Sequence, residues 1–200
     1  MTSPSLITIA LSVYNVEPYL RASLNCIVNQ TYRNLEILCI DDCSKDGTYQ
    51  ILEEYAQLDS RIRLLCQNQN LGLSASRNRA IQEAQGEYLL MLDGDDLFAT
   101  DMIEKAYNRA KEDDADLVMW DYCPFYNEKD LPTLLSVPSD LINFNPKDKI
   151  SLLRRPAFTW VKLIRTSKLR QLNIHFPEGM TKQDIPVWWQ LVTSVERIAI

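Results

Sequence analysis

Hydrophobic and polar positions follow two different periods along the first 123 residues. Short continuous apolar runs, typical of strands buried in a parallel sheet, alternate with stretches in which apolar residues recur at helical spacing. This alternation predicts an α/β fold with a doubly wound, mostly parallel sheet flanked by helices. The expected strands are residues 6–13, 35–40, 62–66, 88–92 and 116–122, and the expected helices are residues 17–29, 46–58, 74–85 and 101–112.

Local signals mark the ends of two of these helices. Asn15 is expected to cap the first helix, which has Pro18 near its first turn. Ser74 is expected to cap the third helix, and Gly86 to end it.

The pattern weakens after Cys123. Prolines at 124, 132, 138 and 146 break up a polar stretch, which predicts a long, partly irregular excursion with one helix at residues 146–153. Order is expected again at residues 158–164, 166–172 and 183–195, and residues 197–200 resemble the start of a strand. We therefore expect an α/β half at residues 1–123, and a segment at 124–200 that is truncated in mid-pattern.

Composition narrows the class of protein. The 200 residues are 46% hydrophobic and 24% charged, as in an ordinary globular domain. The net charge of −6 argues against nucleic acid as a partner, because neutralising phosphates requires a basic face. No apolar run reaches the roughly 18 residues of a membrane span, so membrane contact is expected only peripherally or through a missing segment.

The five cysteines indicate the compartment. Their number is odd and no CxxC pair occurs, which favours buried free thiols over zinc sites or disulfides. A reducing compartment follows, so the expected location is cytoplasmic, possibly at the cytoplasmic face of the membrane. The residues are Cys26, Cys39, Cys43, Cys66 and Cys123.

An acidic loop follows the expected strand at residues 88–92. Asp93, Asp95 and Asp96 surround Gly94 at the carboxyl end of that strand, where ligands bind in open α/β sheets. Hard cations such as Mn²⁺ or Mg²⁺ bind oxygen ligands, usually one or two carboxylates plus substrate phosphate. The alternative, a helix cap, explains one acid and not three.

Polar residues also follow the other expected strands. Each alone is compatible with an ordinary loop, but together they predict a ligand cleft at one edge of the sheet. Tyr14 can stack on a base, Asp42 can accept hydrogen bonds from a base or ribose, and Arg77 can reach phosphate. No GxGxxG or GxxxxGK[ST] motif is present, so metal and side chains must bind phosphates. The candidates are Ser12, Tyr14 and Asn15 after the first strand, Asp42 after the second, and Asn70 and Arg77 after the third.

Taken together, these motifs resemble family 2 glycosyltransferases. The order and spacing match over about residues 5–123, and a weaker match continues to residue 200. The matching segments are residues 12–15 (SVYN), 30–32 (QTY), 41–48 (DDCSKDGT), 70–78 (NLGLSASRN) and 86–96 (GEYLLMLDGDD).

The resemblance implies a fold, a chemistry and several residue roles. The family has a GT-A fold and generally transfers a sugar with inversion from a nucleotide diphosphate donor, using a divalent metal. Tyr14 and Asp42 would hold the base, which favours a UDP-sugar, and Arg77 would line the donor pocket. Asp93 and Asp95 would serve ribose, metal and diphosphate, with Asp96 nearby as a third candidate metal ligand and Gly94 as a candidate substrate-binding residue.

The expected enzyme is therefore a hexosyl or N-acetylhexosaminyl transferase. Its acceptor would be a carbohydrate or a lipid-linked hydroxyl compound, in the synthesis of cell-surface polysaccharide or glycoconjugate.

Two later segments extend the resemblance. Trp160 and Lys162 match the W-x-K-L stretch of the family and are candidate substrate-binding residues. Residues 176–179 (FPEG), followed by Gln183 and Asp184, resemble the run that ends in Glu-Asp and supplies the catalytic base. Gln183 departs from that pattern, which leaves Asp184 as the candidate base. Residues 1–123 would then form the nucleotide-sugar-binding half, and residues 124–200 the acceptor-side segment that contains the base. From the residues alone, Asp184 is equally compatible with an acid in the first turn of a helix.

Other classes remain as alternatives. A catalytically silent nucleotide-sugar-binding domain is the main one, because of Gln183 and the incomplete pattern at the end. A metal-dependent phosphatase of the haloacid dehalogenase type also uses DxD, but after its first strand, whereas here the motif follows the fourth. A receiver-like domain would place paired acids after its first strand, and this chain places Asp41 and Asp42 after its second.

Overall fold

A seven-stranded sheet forms the centre of the protein. The structure, a computed structural model, describes residues 4–124 and 148–200. The strands are β1 (Ile7–Val13), β2 (Leu35–Asp41), β3 (Ile62–Cys66), β4 (Tyr88–Asp93), β5 (Leu117–Met119), β6 (Lys162–Arg165) and β7 (Ile198–Ala199). Their spatial order is β3-β2-β1-β4-β6-β5-β7. The predicted α/β fold with a mostly parallel sheet is confirmed.

Helices cover both faces of this sheet. The predicted helices are confirmed with shifts of a few residues at their ends, and the predicted strand at 116–122 is shorter than expected. The α-helices are α1 (Glu17–Val28), α2 (Thr48–Leu58), α3 (Leu73–Glu83), α4 (Met102–Glu112), α5 (Lys149–Leu153), α6 (Thr166–Gln171) and α7 (Asp184–Ser194), and Thr159–Val161 form a 3₁₀ turn.

The alternation of side chains along the strands divides the core into two layers. In β2, Ile37 and Cys39 pack into the layer that contains α1, α2 and α4, whereas Leu38 and Ile40 pack into the layer of α3, α6 and α7. Both faces of the strand are buried, which explains its continuous apolar sequence.

Strand β6 runs against the direction of its neighbours. It pairs antiparallel with β4 and with β5, and Leu163 lies opposite both Leu90 and Val118. Because its direction is reversed, the start of β6 lies towards the carboxyl end of β4. This reversal brings Lys162 to the edge of the sheet that carries the acidic loop.

Both predicted N-terminal helix caps are wrong, and α3 ends at Glu83 and not just before Gly86. Val16, not Asn15, precedes α1, and Asn15 adopts a left-handed φ of 52° in the preceding loop. Helix α3 begins at Leu73 after Gly72, and Ser74 lies within its first turn, where its hydroxyl donates to the Pro177 carbonyl at 2.8 Å. Neighbouring loops therefore take up these polar side chains, which local sequence cannot reveal.

The cysteines are free, as predicted, but most are not buried. Cys39 is buried in β2, Cys26 and Cys43 are partly buried, and Cys66 and Cys123 are exposed. Cys66 is exposed because it ends the edge strand β3.

Two expectations concern longer stretches of chain. The predicted excursion falls largely at residues 125–147 and lies outside the described residues, while the helix expected at 146–153 is present from Lys149. Across residues 4–124 and 148–200, no helix combines the length and the apolar character needed to cross a membrane.

Candidate active site

The carboxyl ends of four parallel strands meet at one edge of the sheet. Ser12 in β1 is opposite Asp93 in β4, and Val13 is opposite Asp41 in β2. Asp41 is in turn opposite Cys66, the last residue of β3. The predicted convergence of polar strand ends is therefore present in the structure.

The loop after β1 is fixed by the loop after β2. The Asn15 N–H donates to the Ser44 hydroxyl at 3.0 Å, and the Asn15 side-chain carbonyl accepts from the Lys45 N–H at 2.7 Å. The Val16 N–H donates to the Thr48 hydroxyl at 2.9 Å. The DDCSKDGT segment thus positions the β1 loop, and Tyr14 is held there with 44% of its surface exposed to solvent.

Asp42 is buried and orders the loop after β3. Its carboxylate accepts hydrogen bonds from the backbone N–H groups of Leu71 and Gly72 and from the Gln67 side chain, each at 2.7 Å. These contacts fix the loop that carries Asn70, whose side chain is exposed. Sequence reasoning missed Gln67, which also donates to Ser76 at 2.9 Å and so joins this loop to α3.

Arg77 connects the acidic loop to α7. Its side chain is 3% exposed, and it donates to Asp93 at 3.2 Å and to the carboxylate of Asp184. The guanidinium also lies 5.5 Å from the centre of the Phe176 ring. The attraction between this buried cation and its two carboxylates offsets part of the hydration that all three groups lose on burial.

The acidic loop carries carboxylates in different environments. Burial raises the pKa of Asp93, whereas Arg77 opposes that shift. Burial, aided by the charges of Asp93 and Asp95, raises the pKa of Asp96 to about 6. Asp95 is exposed. The acidic loop is separated from the start of α4 by residues 97–101, so these acids do not cap that helix.

The acidic loop offers too few protein ligands for a closed metal site, but enough for a divalent cation that also binds oxygen atoms of a substrate. Within the described ranges, no group of three or more His, Cys, Asp or Glu side chains is arranged to bind a metal. Asp93 is paired with Arg77, which leaves Asp95 and Asp96 as oxygen ligands. Two carboxylates plus substrate oxygens match the preference of Mg²⁺ and similar hard cations.

Gly94 lies where the acidic loop crosses the β1 loop. A Cβ atom at this position would lie 2.6 Å from Val13 Cγ1 and 3.2 Å from Val16 Cγ2. Only glycine therefore permits this close approach, and the predicted substrate-binding role of Gly94 can be exercised only through its backbone.

We expect Gly94→Ala to lower the free energy of unfolding by about 1–3 kcal/mol, because the added methyl group overpacks the contact with Val13. Urea unfolding measures this change. Thr100→Ala, at an exposed position beyond the acidic loop, is the control and should change it by less than about 0.5 kcal/mol. Equal stability of Gly94→Ala and the wild type would show that the loop can move to accommodate the methyl group at no cost in free energy.

Lys162 is buried against α7, the helix that begins with Asp184. Its ammonium donates to the Pro156 carbonyl at 3.2 Å and to the Phe158 carbonyl, and lies 4.4 Å from the centre of the Trp188 ring. Burial lowers the pKa of Lys162 to about 7, while the charge of Asp184 acts in the opposite direction. Lys162 therefore holds the chain before β6 against α7.

The segment that precedes α7 is anchored to α3. The Asn78 side chain accepts from the Phe176 N–H at 2.7 Å and donates to its carbonyl at 2.9 Å. Asn78 also contacts the exposed His175 at 3.3 Å. The motif at residues 70–78 contains Asn78 but does not reveal its role, which is to position the segment before α7.

The fold and the site together define a class. A mostly parallel sheet, with an acidic loop at the end of β4 and a reversed strand beside it, is the arrangement of a GT-A fold. The profile described as Glycosyl transferase family 2 matches residues 8–170. The chain therefore belongs to family 2 of the glycosyltransferases.

Curated relatives agree with this family. The cholesterol galactosyltransferase of Borreliella burgdorferi is 44% identical over 205 residues, which cover 96% of this chain and 57% of that protein. Glycosyltransferase GlyA of Streptococcus pneumoniae is 40% identical over 119 residues, which cover 60% of this chain and 17% of GlyA. The chain thus spans only part of the length of these relatives.

Solved structures show the same fold. S. aureus TarS 1–349 in complex with UDP superposes with a TM-score of 0.80 at 25% identity, covering 96% of this chain and 56% of that one. The mannosyltransferase PcManGT from Pyrobaculum calidifontis, in complex with GDP-Man and Mn²⁺, superposes with a TM-score of 0.73 at 19% identity, covering 99% and 55%.

Proposed function

We propose that this chain transfers a hexosyl or N-acetylhexosaminyl group, with inversion, from a nucleotide diphosphate sugar to an acceptor hydroxyl. The observation that carries the proposal is the position of Arg77 between Asp93 and Asp184. It places the acidic loop, suited to a metal-bound diphosphate, beside a carboxylate on α7 that can accept a proton. Family membership supports the same reaction type.

We propose a UDP-sugar as the donor. TarS, the neighbour at 25% identity, was crystallised with UDP. In this chain, the exposed ring of Tyr14 can stack on the uracil, and Ser12 and Asn15 lie on the same sheet edge. Asp42 supports this pocket through the 67–72 loop, and any oxygen lone pair that the loop leaves unused can accept from the base. Asn70 is exposed on that loop and available to the donor.

Asp95 and Asp96 would hold a Mn²⁺ or Mg²⁺ ion, with Asp93 beside them. When bound, such an ion supplies Lewis-acid stabilisation of the negative charge that develops on the leaving diphosphate. Arg77 lies next to this site, where it offsets part of the negative charge of Asp93 and Asp184.

Asp184 is proposed as the general base. One carboxylate oxygen is held by Arg77, and the other can accept the proton of the attacking hydroxyl. The acceptor oxygen bonds to the anomeric carbon as the bond from that carbon to the diphosphate oxygen breaks. The proton goes to Asp184 and the electron pair leaves with the nucleotide diphosphate. One displacement of this kind inverts the anomeric centre.

The acceptor belongs to cell-surface polysaccharide or glycoconjugate synthesis in this proposal. A relative that is named for cholesterol galactosylation and another that is named only as a glycosyltransferase support sugar transfer without fixing the acceptor. The free thiols support a reducing, cytoplasmic setting, where contact with a membrane would be peripheral or through a segment outside this sequence.

The test is the release of nucleotide diphosphate from a panel of UDP- and GDP-sugars, with and without Mn²⁺. We expect Mn²⁺-dependent release from at least one UDP-sugar, and ¹H NMR of the product should show an inverted anomeric centre. Donor binding with no release or transfer under any condition would instead support a silent nucleotide-sugar-binding domain. Retention of configuration would exclude the single displacement.

The raised pKa of Asp96 predicts a pH dependence of metal binding. Asp96 is ionised above pH 6 and protonated below it, and a proton on the carboxylate competes with the cation. In the presence of UDP-glucose, the affinity for Mn²⁺ should fall by up to about tenfold per pH unit as the pH drops below 6. Calorimetry between pH 5 and 8 measures this fall. Asp96→Asn should flatten the profile, and an identical profile in that variant would remove Asp96 from the metal site.

A further inference from the structure

Three aromatic rings, from the segments after β5 and before β6, form a partly exposed cluster. Phe158 and Trp160 are stacked with ring centres 5.2 Å apart and planes at 11°. The Tyr122 ring meets both edge-on, at 5.5 Å from Phe158 and 4.9 Å from Trp160. We call these residues the aromatic platform.

Two of the three platform residues, Tyr122 and Phe158, lie outside both core layers. Tyr122 and Phe158 are each 39% exposed, although aromatic rings gain most when they are buried. Only Trp160 packs partly against the core. The rings come from two segments that meet where the Trp120 N–H donates to the Val161 carbonyl at 3.2 Å. The platform is therefore an aromatic surface, formed by two segments of chain, that is partly exposed to solvent.

Lys162 links the aromatic platform to α7, the helix that begins with Asp184. Its ammonium contacts the Phe158 carbonyl and lies 4.4 Å from the centre of the Trp188 ring. Trp188 lies one helical turn after Asp184 on α7. The same lysine therefore touches the backbone of the platform and the helix that carries the base. Asp184 in turn pairs with Arg77, which also contacts Asp93 of the acidic loop.

We propose that the aromatic platform is the acceptor subsite and that it binds the apolar face of a saccharide ring. The inference rests on the proposed function, since it assigns the acceptor class of that reaction. A pyranose presents a face of C–H groups that packs on an aromatic ring, while its hydroxyl groups at the rim require polar partners. Asp121 supplies one such partner: one carboxylate oxygen accepts from the Tyr122 N–H at 2.9 Å, and the other can accept from a sugar hydroxyl.

The chemistry of the platform favours a saccharide over an extended apolar acceptor. Its three members are aromatic, two of them carry a polar ring group, and an acid adjoins them. A long apolar chain has no hydroxyl groups to pair with these polar groups, whereas a saccharide has several. Stacking geometry also orients a ring, and so presents one hydroxyl to Asp184 in a defined direction.

Saturation-transfer NMR with the whole chain, UDP and Mn²⁺ tests the proposal. The probes are the methyl glycosides of galactose, glucose and N-acetylglucosamine, and cyclohexanol as an apolar ring of similar size. We expect saturation of the C–H protons of at least one glycoside. Phe158→Ala and Tyr122→Ala should weaken its binding by about 3- to 10-fold.

Tyr19→Ala is the matched control, because Tyr19 is an exposed aromatic residue on α1, outside the site. It should bind the glycoside like the wild type. If Phe158→Ala does not fold, Tyr122→Leu serves in its place, since it keeps apolar bulk and loses the aromatic face. No saturation of any glycoside, unchanged binding in the folded platform variants, or a preference for cyclohexanol would overturn the proposal.

Binding of UDP separates this proposal from the proposed function. Wild type and platform variants that bind UDP with Mn²⁺ equally well, but show no difference in glycoside binding, contradict the aromatic subsite alone. A wild type that binds neither UDP nor UDP-sugars contradicts the proposed function itself.

Discussion

Asp184→Asn is expected to abolish most sugar transfer and to leave donor binding intact. The amide keeps a carbonyl oxygen that can accept from Arg77, but it cannot take up the proton of the acceptor hydroxyl. The loss should appear in kcat and reach roughly 100-fold or more, as is typical for removal of a general base. Transfer rates, together with the affinity for UDP-sugar in the same buffer, measure both parts of the prediction.

Asp101→Asn is the matched control for this variant. Asp101 also lies at the start of a helix, but its carboxylate is exposed and pairs with Lys105 at 2.7 Å. It should turn over like the wild type. Normal turnover by Asp184→Asn would mean that Asp184 only stabilises the first turn of α7, and that another group accepts the proton.

Arg77→Met is expected to cause the largest loss of stability among single substitutions at the site. It leaves Asp93 and Asp184 partly buried without their shared cation, and removal of one partner from a buried ion pair costs about 3–5 kcal/mol. Urea unfolding at pH 7 measures the change. Part of the loss should be recovered at lower pH, because protonation of Asp93 removes one unpaired charge.

Arg79→Met is the control on the same helix. Arg79 donates to the Cys66 carbonyl at 3.1 Å from a partly exposed position, so its loss should cost less than about 1 kcal/mol. Equal effects of the two substitutions would mean that the interactions around Arg77 add little to stability.

The sequence predicted most of the sheet because its strands are buried on both faces. Continuous apolar runs such as residues 35–40 have no other stable environment in a chain of this composition. The position of β6 was beyond such reasoning. Its four residues carry a weak signal, and its antiparallel pairing with β4 joins segments more than 70 residues apart.

The candidate site was predictable to the extent that strand ends share one edge. That rule predicts that Ser12, Asp42 and Asp93 lie at the same edge of the sheet, and they do. The contacts between distant segments were not predictable. The Arg77–Asp184 pair spans 107 residues, and the carboxylate of Asp42 turned out to bind the loop after β3. A polar side chain near a site can bind the ligand or stabilise a neighbouring loop, and its residue type does not distinguish these two roles.

The most direct test of the central claim is the calorimetric titration of UDP into the protein with Mn²⁺ and then with EDTA. We expect binding with Mn²⁺ that EDTA removes. Asp95→Ala should weaken it at least roughly tenfold, the effect seen when even a supporting group of a metal ligand is lost. Asp113→Ala, an exposed acid at the end of α4, should bind like the wild type. Undiminished binding of UDP in EDTA, or in Asp95→Ala, would contradict a metal-bound nucleotide diphosphate at the end of β4.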